Sequence, residues 1–203
     1  PELSRGLGDV YKRQEYIGYQ DQTHSSQNMF RTILKATSFP GSIFTVPENL
    51  ETDNVLYSST ANIIFTLFDI DTKIFIDSEK ISKIQNFITF NTNANCIEKS
   101  NHCDFAIIQN KEFNIENFNL GSDEYPDNSS TIIIEVEDLI NGEELIIEGP
   151  GIEKTKSISP TNLPKNFQSQ WQNNNFIFPR GVDLILTCKD DFFCLPRTSK
   201  VLK

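Results

Sequence analysis

Seven consecutive residues near the C-terminus, Val182 to Cys188 (VDLILTC), are apolar at nearly every position. A strand that faces water on one side alternates in polarity, so an unbroken run suits a strand covered on both faces, with a layer above the sheet and another below. Lys189-Asp190-Asp191 interrupts the run and Phe192 to Leu195 resumes it, which predicts a hairpin with a three-residue loop. Pro196 cannot donate to a ladder and ends the second strand. Upstream, Pro179 presets φ for a turn and Gly181 falls where a type I turn favours glycine. Two charges are out of keeping with this apolar setting: Asp183 lies inside the run, and Arg197 follows the strand end.

Towards the N-terminus the pattern alternates. Phe30, Ile33, Leu34 and Thr37 recur at helical spacing behind an N-cap at Ser26, and Phe39-Pro40-Gly41 stops the helix because Pro40 pushes Phe39 out of the α region. Ser42 to Val46 makes a short strand. Ala61, Ile64, Phe65 and Phe68 give a second helix, Lys73 to Asp77 a strand, and Ile81, Ile84, Phe87 and Ile88 a third helix led by Ser78. Asp104 to Gln109 reads as a strand, Gly121 to Ser130 as a surface loop, and the β-branched Thr131 to Val136 as a central strand. Asn141-Gly142 predicts a hairpin from that strand into Glu144 to Glu148. Leu163, Phe167 and Trp171 give a fourth, short helix one apolar edge. Helices and strands in alternating order predict an α/β sandwich.

Composition narrows the classes. Pro1 to Gln14 reads as a cloning or sequencing scar, with residues 15–203 as a single domain and the native start lost. Setting aside that segment's three cations and two acids takes the net charge from −10 to −11. A chain this acidic is a poor nucleic-acid binder, because phosphate binding needs clustered Lys and Arg. No apolar run approaches the roughly 20 residues of a membrane span. Cytoplasmic location with reduced thiols is therefore expected for Cys96, Cys103, Cys188 and Cys194.

Several constellations invite chemistry. Gly149-Pro150-Gly151 follows a strand as a phosphate loop does, but Pro150 removes a backbone donor and no Lys-Ser/Thr follows, so a tight turn is expected. Cys96, His102 and Cys103 lack the close cysteine pair of a zinc site, so no metal is expected. Cys188 and Cys194 flank the hairpin, placed to face each other across it as core fillers. The two histidines, His24 and His102, have no nucleophile context. Lys35 is the least exposed lysine candidate and reads as a solvated flank. Arg31 and Arg197 each follow an apolar anchor; each can fork a phosphate or carboxylate, or pair with Asp183 or Asp69 within the fold or at a subunit contact.

Taken together, several stretches resemble the PhnH family of the carbon–phosphorus lyase system. They are Gln27-x-x-Phe30-Arg31, Leu34-x-Ala36, Ser38-Phe39-Pro40-Gly41, Leu67-x-Asp69-x-Asp71-Thr72, Gly149-Pro150-Gly151-Ile152, Phe178-Pro179-x-Gly181-Val182-Asp183-Leu184-Ile185-Leu186 and Pro196-Arg197-Thr198, in the family's order from about Tyr16 to Thr198. Arg180 departs from the apolar residue usual between Pro and Gly, and Asn91 from a common His.

The resemblance implies a three-layer α/β/α sandwich with a mixed sheet, similar to a degenerate pyridoxal-phosphate-dependent transferase without the cofactor lysine. It implies a subunit working with PhnG, PhnI, PhnJ and PhnL, supporting transfer of ribose triphosphate from ATP to a phosphonate, and a homodimer when isolated. Candidate ligand or interface residues are Arg31, Gly149, Pro150, Gly151, Asp183, Arg197 and Thr198, with no catalytic residue assigned. Asp183 is expected to fix the Pro179–Gly181 turn, and Arg197 to anchor the strand end or a neighbouring chain. Purely structural scaffolding, a stand-alone phosphate or nucleotide binder using Arg31 and Arg197, and a pyridoxal-phosphate enzyme are the competing classes.

Overall fold

The computed structural model describes residues 18–202, so the scar-like segment 1–14 lies outside the described residues. In chain order the elements are α1 (Gln22–Ser38), β1 (Phe44–Thr45), α2 (Ser58–Leu67), β2 (Lys73–Asp77), α3 (Ile81–Thr92), β3 (Asn95–Ile97), β4 (Phe105–Ile108), β5 (Thr131–Glu135), β6 (Leu145–Glu148), β7 (Lys156–Ile158), α4 (Phe167–Phe176), β8 (Asp183–Cys188), β9 (Asp191–Leu195) and β10 (Lys200–Val201). Seven strands form one mixed sheet in the order β1-β9-β8-β5-β4-β2-β3, and β10-β6-β7 form a second, three-stranded sheet. From β3 to β8 the neighbours are parallel, whereas β9 runs antiparallel between β8 and β1.

The double coverage foreseen for the Val182–Cys188 run is what the chain achieves. Successive side chains of a strand point to opposite faces. Ile107, Ile133, Ile185 and Phe192 accordingly pack on one side with Met29 and Ile33 of α1, Ile63 and Ile64 of α2, and Ile84 and Ile88 of α3. Ile108, Ile132, Ile134, Leu184, Leu186 and Phe193 pack on the other with Phe167 and Trp171 of α4 and with Leu145, Ile147, Ile158 and Val201 of the small sheet. Among the described residues the fold is thus α/β with a mixed sheet and four α-helices. Three helices cover one face; one helix and the small sheet cover the other.

Several local expectations are corrected. The hairpin pairs Cys188 with Asp191, leaving a two-residue loop in which Lys189 takes φ 53°, not a three-residue one. Cys194 pairs with Ile185, so it does not face Cys188; the two thiols pack toward opposite faces of the sheet. Helix α1 starts a turn earlier than Ser26: Asp21 is the N-cap, accepting from His24 N at 3.0 Å. Its buried face is Met29, Ile33 and Ala36, while Phe30 and Leu34 are about half exposed.

Helix α3 begins after Lys80, and Ser78 supports its start from two residues before the N-cap, its hydroxyl accepting from Lys80 N and its carbonyl from Ile81 N at 3.3 Å. The Asn141-Gly142 hairpin does not form, because β6 pairs with β7 and β10 and not with β5. The carboxylate of Asp138 collects Ile140 N and Asn141 N instead, and Gly142 N donates to Ser159 O at 2.7 Å. The edge strand β3 had no sequence signal strong enough to be foreseen.

Candidate functional site

Leu184 pairs with Leu195, so Asp183 and Arg197 emerge together at the open end of the hairpin. Arg197 N donates to Asp183 Oδ1 at 2.8 Å, and its Nε lies 3.2 Å from each carboxylate oxygen. Nη2 bonds Asp183 Oδ2 and Ser129 Oγ; Nη1 reaches Pro126 O at 2.7 Å and Pro179 O at 3.4 Å. A guanidinium carries five donors in a rigid fork. Here the fork joins the hairpin to the loop around Pro126 and to the turn at Pro179. The pairing of Arg197 with Asp183, one of the alternatives expected for it, is present in the structure.

Asp183 does not itself hold the Pro179–Gly181 turn. That work falls to Asn174 in the last turns of α4: its Oδ1 accepts from Val182 N at 2.8 Å and its Nδ2 donates to Val182 O at 3.0 Å. Asn174 is 3% exposed, so both bonds are made out of water, where leaving either group unpaired is costly. No apolar periodicity marks such a residue, and it was missed.

The other family-like motifs converge at a second junction. Gly149-Pro150-Gly151 is the turn after β6, closed by Ile152 N donating to Gly149 O at 3.1 Å. Gly151 takes φ +84°, and a Cβ there would sit 2.1 Å from Ser38 O; one on Gly149 would sit 2.9 Å from Thr198 O. Glycine is required because two backbones pass too close for any side chain. The Ser38–Gly41, Gly149–Gly151 and Pro196–Thr198 stretches therefore meet in space. Trp171 Nε1 donates to Ser199 O at 2.9 Å and Asn175 Nδ2 to Arg197 O at 2.9 Å, which ties the same segment to α4. As expected, the motif is a tight turn. Thr198 is half-buried, and what it offers Gly149 is its backbone.

A polar group that the sequence did not flag sits at the C-terminal ends of the parallel strands, where open α/β sheets commonly bind ligands. Glu135 ends β5 and accepts from Tyr57 N at 2.7 Å and from Gln109 Nε2 at 2.6 Å. Tyr57 is the N-cap of α2 and has no capping side chain of its own, so the carboxylate meets the positive end of that helix. Gln109 also donates to Val55 O at 3.1 Å and accepts from Ser78 Oγ. Burial pushes the Glu135 carboxyl above its ordinary value of 4.5, opposed by hydrogen bonds from Thr60, Tyr57 N and Gln109 and by the charge of Lys80. Its oxygens are taken up by the protein, which makes it a lock on the loop before α2.

The remaining candidates scatter. Arg31 is exposed on α1 and joins neither junction through the described hydrogen bonds. Lys35 is likewise exposed. Arg180 lies 3.1 Å from Asp123 through Nε. Asn91 Nδ2 donates to Phe87 O at 2.7 Å, within its own helix.

Cys103 is buried, donates to Ser100 O at 3.0 Å, and has its thiol pKa raised by burial. His102 instead lines an open polar depression of about 570 Å³ with Lys73, Lys99, Asp104 and Asn128, at the N-terminal ends of the parallel strands. Among the described residues no three His, Cys, Asp or Glu side chains gather as a metal would require. No described helix is long and apolar enough to cross a membrane.

The fold and these sites define an α/β domain whose best-connected polar side chains bond its own loops. Residues 17–202 match the family described as bacterial phosphonate metabolism protein (PhnH), and the chain belongs to that family. It is 35% identical over 193 residues, 93% of this chain and 96% of the relative, to a protein of Rhizobium meliloti (strain 1021) named alpha-D-ribose 1-methylphosphonate 5-triphosphate synthase subunit PhnH. It is 24% identical over 180 residues, 89% of this chain and 87% of the relative, to a putative C-P lyase subunit protein HtxG of Stutzerimonas stutzeri.

Proposed function

We propose that this chain is an accessory subunit of the carbon–phosphorus lyase system. In that role it supports transfer of a ribose-triphosphate unit from ATP to an alkylphosphonate, the alpha-D-ribose 1-methylphosphonate 5-triphosphate synthase step, in the breakdown of organic phosphonates. The observation that carries the reading is the identity of 35% across nearly the full length of a protein named as a subunit of that synthase. The geometry agrees with it, since Asp183, Arg197 and the glycine turn are consumed in holding loops together. Catalysis then belongs to the assembly, with PhnG-, PhnI-, PhnJ- and PhnL-type partners, in the cytoplasm. Alone, the chain forms a homodimer.

The layered architecture is that of a pyridoxal-phosphate-dependent transferase that has lost its cofactor; the mostly parallel seven-stranded sheet with helices on both faces supports this kinship. A cofactor imine would need a lysine with a free amine in a pocket. Burial makes the Lys156 amine less basic, and its Nζ is committed to Ser42 Oγ beside the small sheet.

The test is co-expression with the PhnG-, PhnI- and PhnJ-type subunits of the same genome. Stoichiometric co-purification is expected, and failure to co-purify refutes the subunit role. Calorimetry of the isolated chain with ATP should show no tight binding; tight binding would favour a stand-alone nucleotide binder.

A further inference from the structure

Helix α4 ends on the most exposed large apolar side chain among the described residues: Phe176, its last residue, is 90% exposed, and in the connection to β8 Phe178 is 56% exposed. Beside it runs the loop 121–128, whose Tyr125 is 58% exposed. The two segments lie side by side, tied by a backbone hydrogen bond, an ion pair and two bonds from one guanidinium. Gly181 N donates to Leu120 O at 2.8 Å, Arg180 Nε lies 3.1 Å from Asp123 Oδ1, and Arg197 reaches both Pro126 O and Pro179 O.

Three exposed aromatic rings, one at the end of α4 and two on the adjoining segments, offer apolar surface of the kind that marks a docking site, and aromatic side chains are the commonest anchors of such interfaces. The rim is acidic. Glu124 and Asp127 are exposed and have no ion-pair partner within the described residues, and the nearby cations Arg180 and Arg197 are already engaged by Asp123 and Asp183.

We propose that this aromatic patch, Phe176, Phe178 and Tyr125 edged by Glu124 and Asp127, is where another subunit of the assembly docks, through an apolar pocket flanked by Lys or Arg. The inference rests on the subunit reading above and adds to it the surface and the chemistry of the partner. Charge complementarity selects the occupant: a second copy docked patch to patch sets Glu124 and Asp127 against their own counterparts, whereas a basic-edged partner is drawn to them. The Phe178-Pro179-x-Gly181 motif then acquires a role. Its proline and glycine shape the hoop that presents the rings.

The experiment uses the full chain co-expressed with the other subunits, followed by affinity measurement on the purified components. Phe176→Ser with Phe178→Ser is expected to weaken binding at least tenfold while circular dichroism and the unfolding midpoint stay unchanged, as befits side chains this exposed. Glu124→Gln with Asp127→Asn, which leaves the rings intact, is expected to slow association several-fold and to flatten its salt dependence. Wild-type assembly that survives both double variants overturns the inference and leaves the subunit reading standing. Wild type that fails to assemble overturns both. A concentration-dependent dimer of the isolated chain that disappears in the Phe176/Phe178 variant assigns the patch to a second copy and also overturns the proposal.

Discussion

Replacing Arg197 with Ala is the sharpest probe of the clasp at the open end of the β8–β9 hairpin. The Arg197 side chain is 15% exposed and that of Asp183 33% exposed. The pair thus lies between a surface ion pair, worth about 0.2–1 kcal/mol, and a buried one, where removing a partner costs about 3–5 kcal/mol. Asp183 keeps one bond in the variant, because Arg197 N still donates to Oδ1 at 2.8 Å. Pro126 O and Ser129 Oγ lose a charged donor, and each partly desolvated group left unpaired adds about 1 kcal/mol. The expected loss is about 2–4 kcal/mol, read from urea unfolding followed by tryptophan fluorescence. For a domain of this length that corresponds to a fall in Tm of roughly 5–15 °C. Arg197→Lys should recover less than half, since an ammonium cannot span the Asp183 carboxylate, Pro126 O and Ser129 Oγ together. A double-mutant cycle with Asp183→Asn isolates the ionic part. An Arg197→Ala variant within about 0.5 kcal/mol of wild type, at unchanged m-value, refutes the clasp as a stabilising element.

Three further outcomes are expected. Gly151→Ala combines a φ of +84° with a Cβ 2.1 Å from Ser38 O, so it should lower stability by at least about 2 kcal/mol in the same urea assay; a neutral result means the α1 terminus and the β6–β7 turn can separate freely. Because burial raises the Glu135 carboxyl above 4.5, its contribution to stability is fully present below that value and is lost as pH rises through the raised folded value. Subtracting the Glu135→Gln stability–pH curve from the wild-type curve should therefore give a difference that falls with rising pH, and a flat or rising difference rejects the assignment. Burial raises all four thiols, Cys194 to about 12, but a thiol reagent reaches half-buried side chains first: in native protein Cys96 and Cys188 should be modified before buried Cys103 and Cys194, and fast labelling of Cys194 contradicts its burial.

The parts of the fold legible in the sequence were those with enough length to show a period. Val182–Cys188 declared itself as a covered strand because layers on both sides leave no polar alternation, and Thr131–Val136 as a central strand through its β-branched run. Phe30 and Leu34 misled because they fall at helical spacing yet belong to the surface, while Met29 and Ala36 complete the real core face. Asn141-Gly142 marked a bend truthfully but not its destination: turn chemistry fixes how the chain reverses locally, and here the following strand leaves for another sheet. At the site, the pairing of Asp183 with Arg197 was among the foreseen alternatives because both charges stand out against an apolar run. Asn174 and Glu135 were invisible. A polar residue near the end of a helix or strand looks solvated until the distant peptide groups of Val182 and Tyr57 arrive beside it.

The connection from α4 to β8 is closed at its base by Asn174, whose amide bonds both N and O of Val182 as a neighbouring strand's peptide would. Within the closed hoop, Phe178 N donates to Asn175 O and Arg180 N to Ile177 O. A loop cross-tied this way has little conformational freedom left to lose. Ordering a free loop costs about 1–2 kcal/mol per residue, a cost borne here during folding and absent from any later association. Loosening the hoop at Asn174 should therefore weaken a partner's grip on Phe176 and Phe178 without touching either ring.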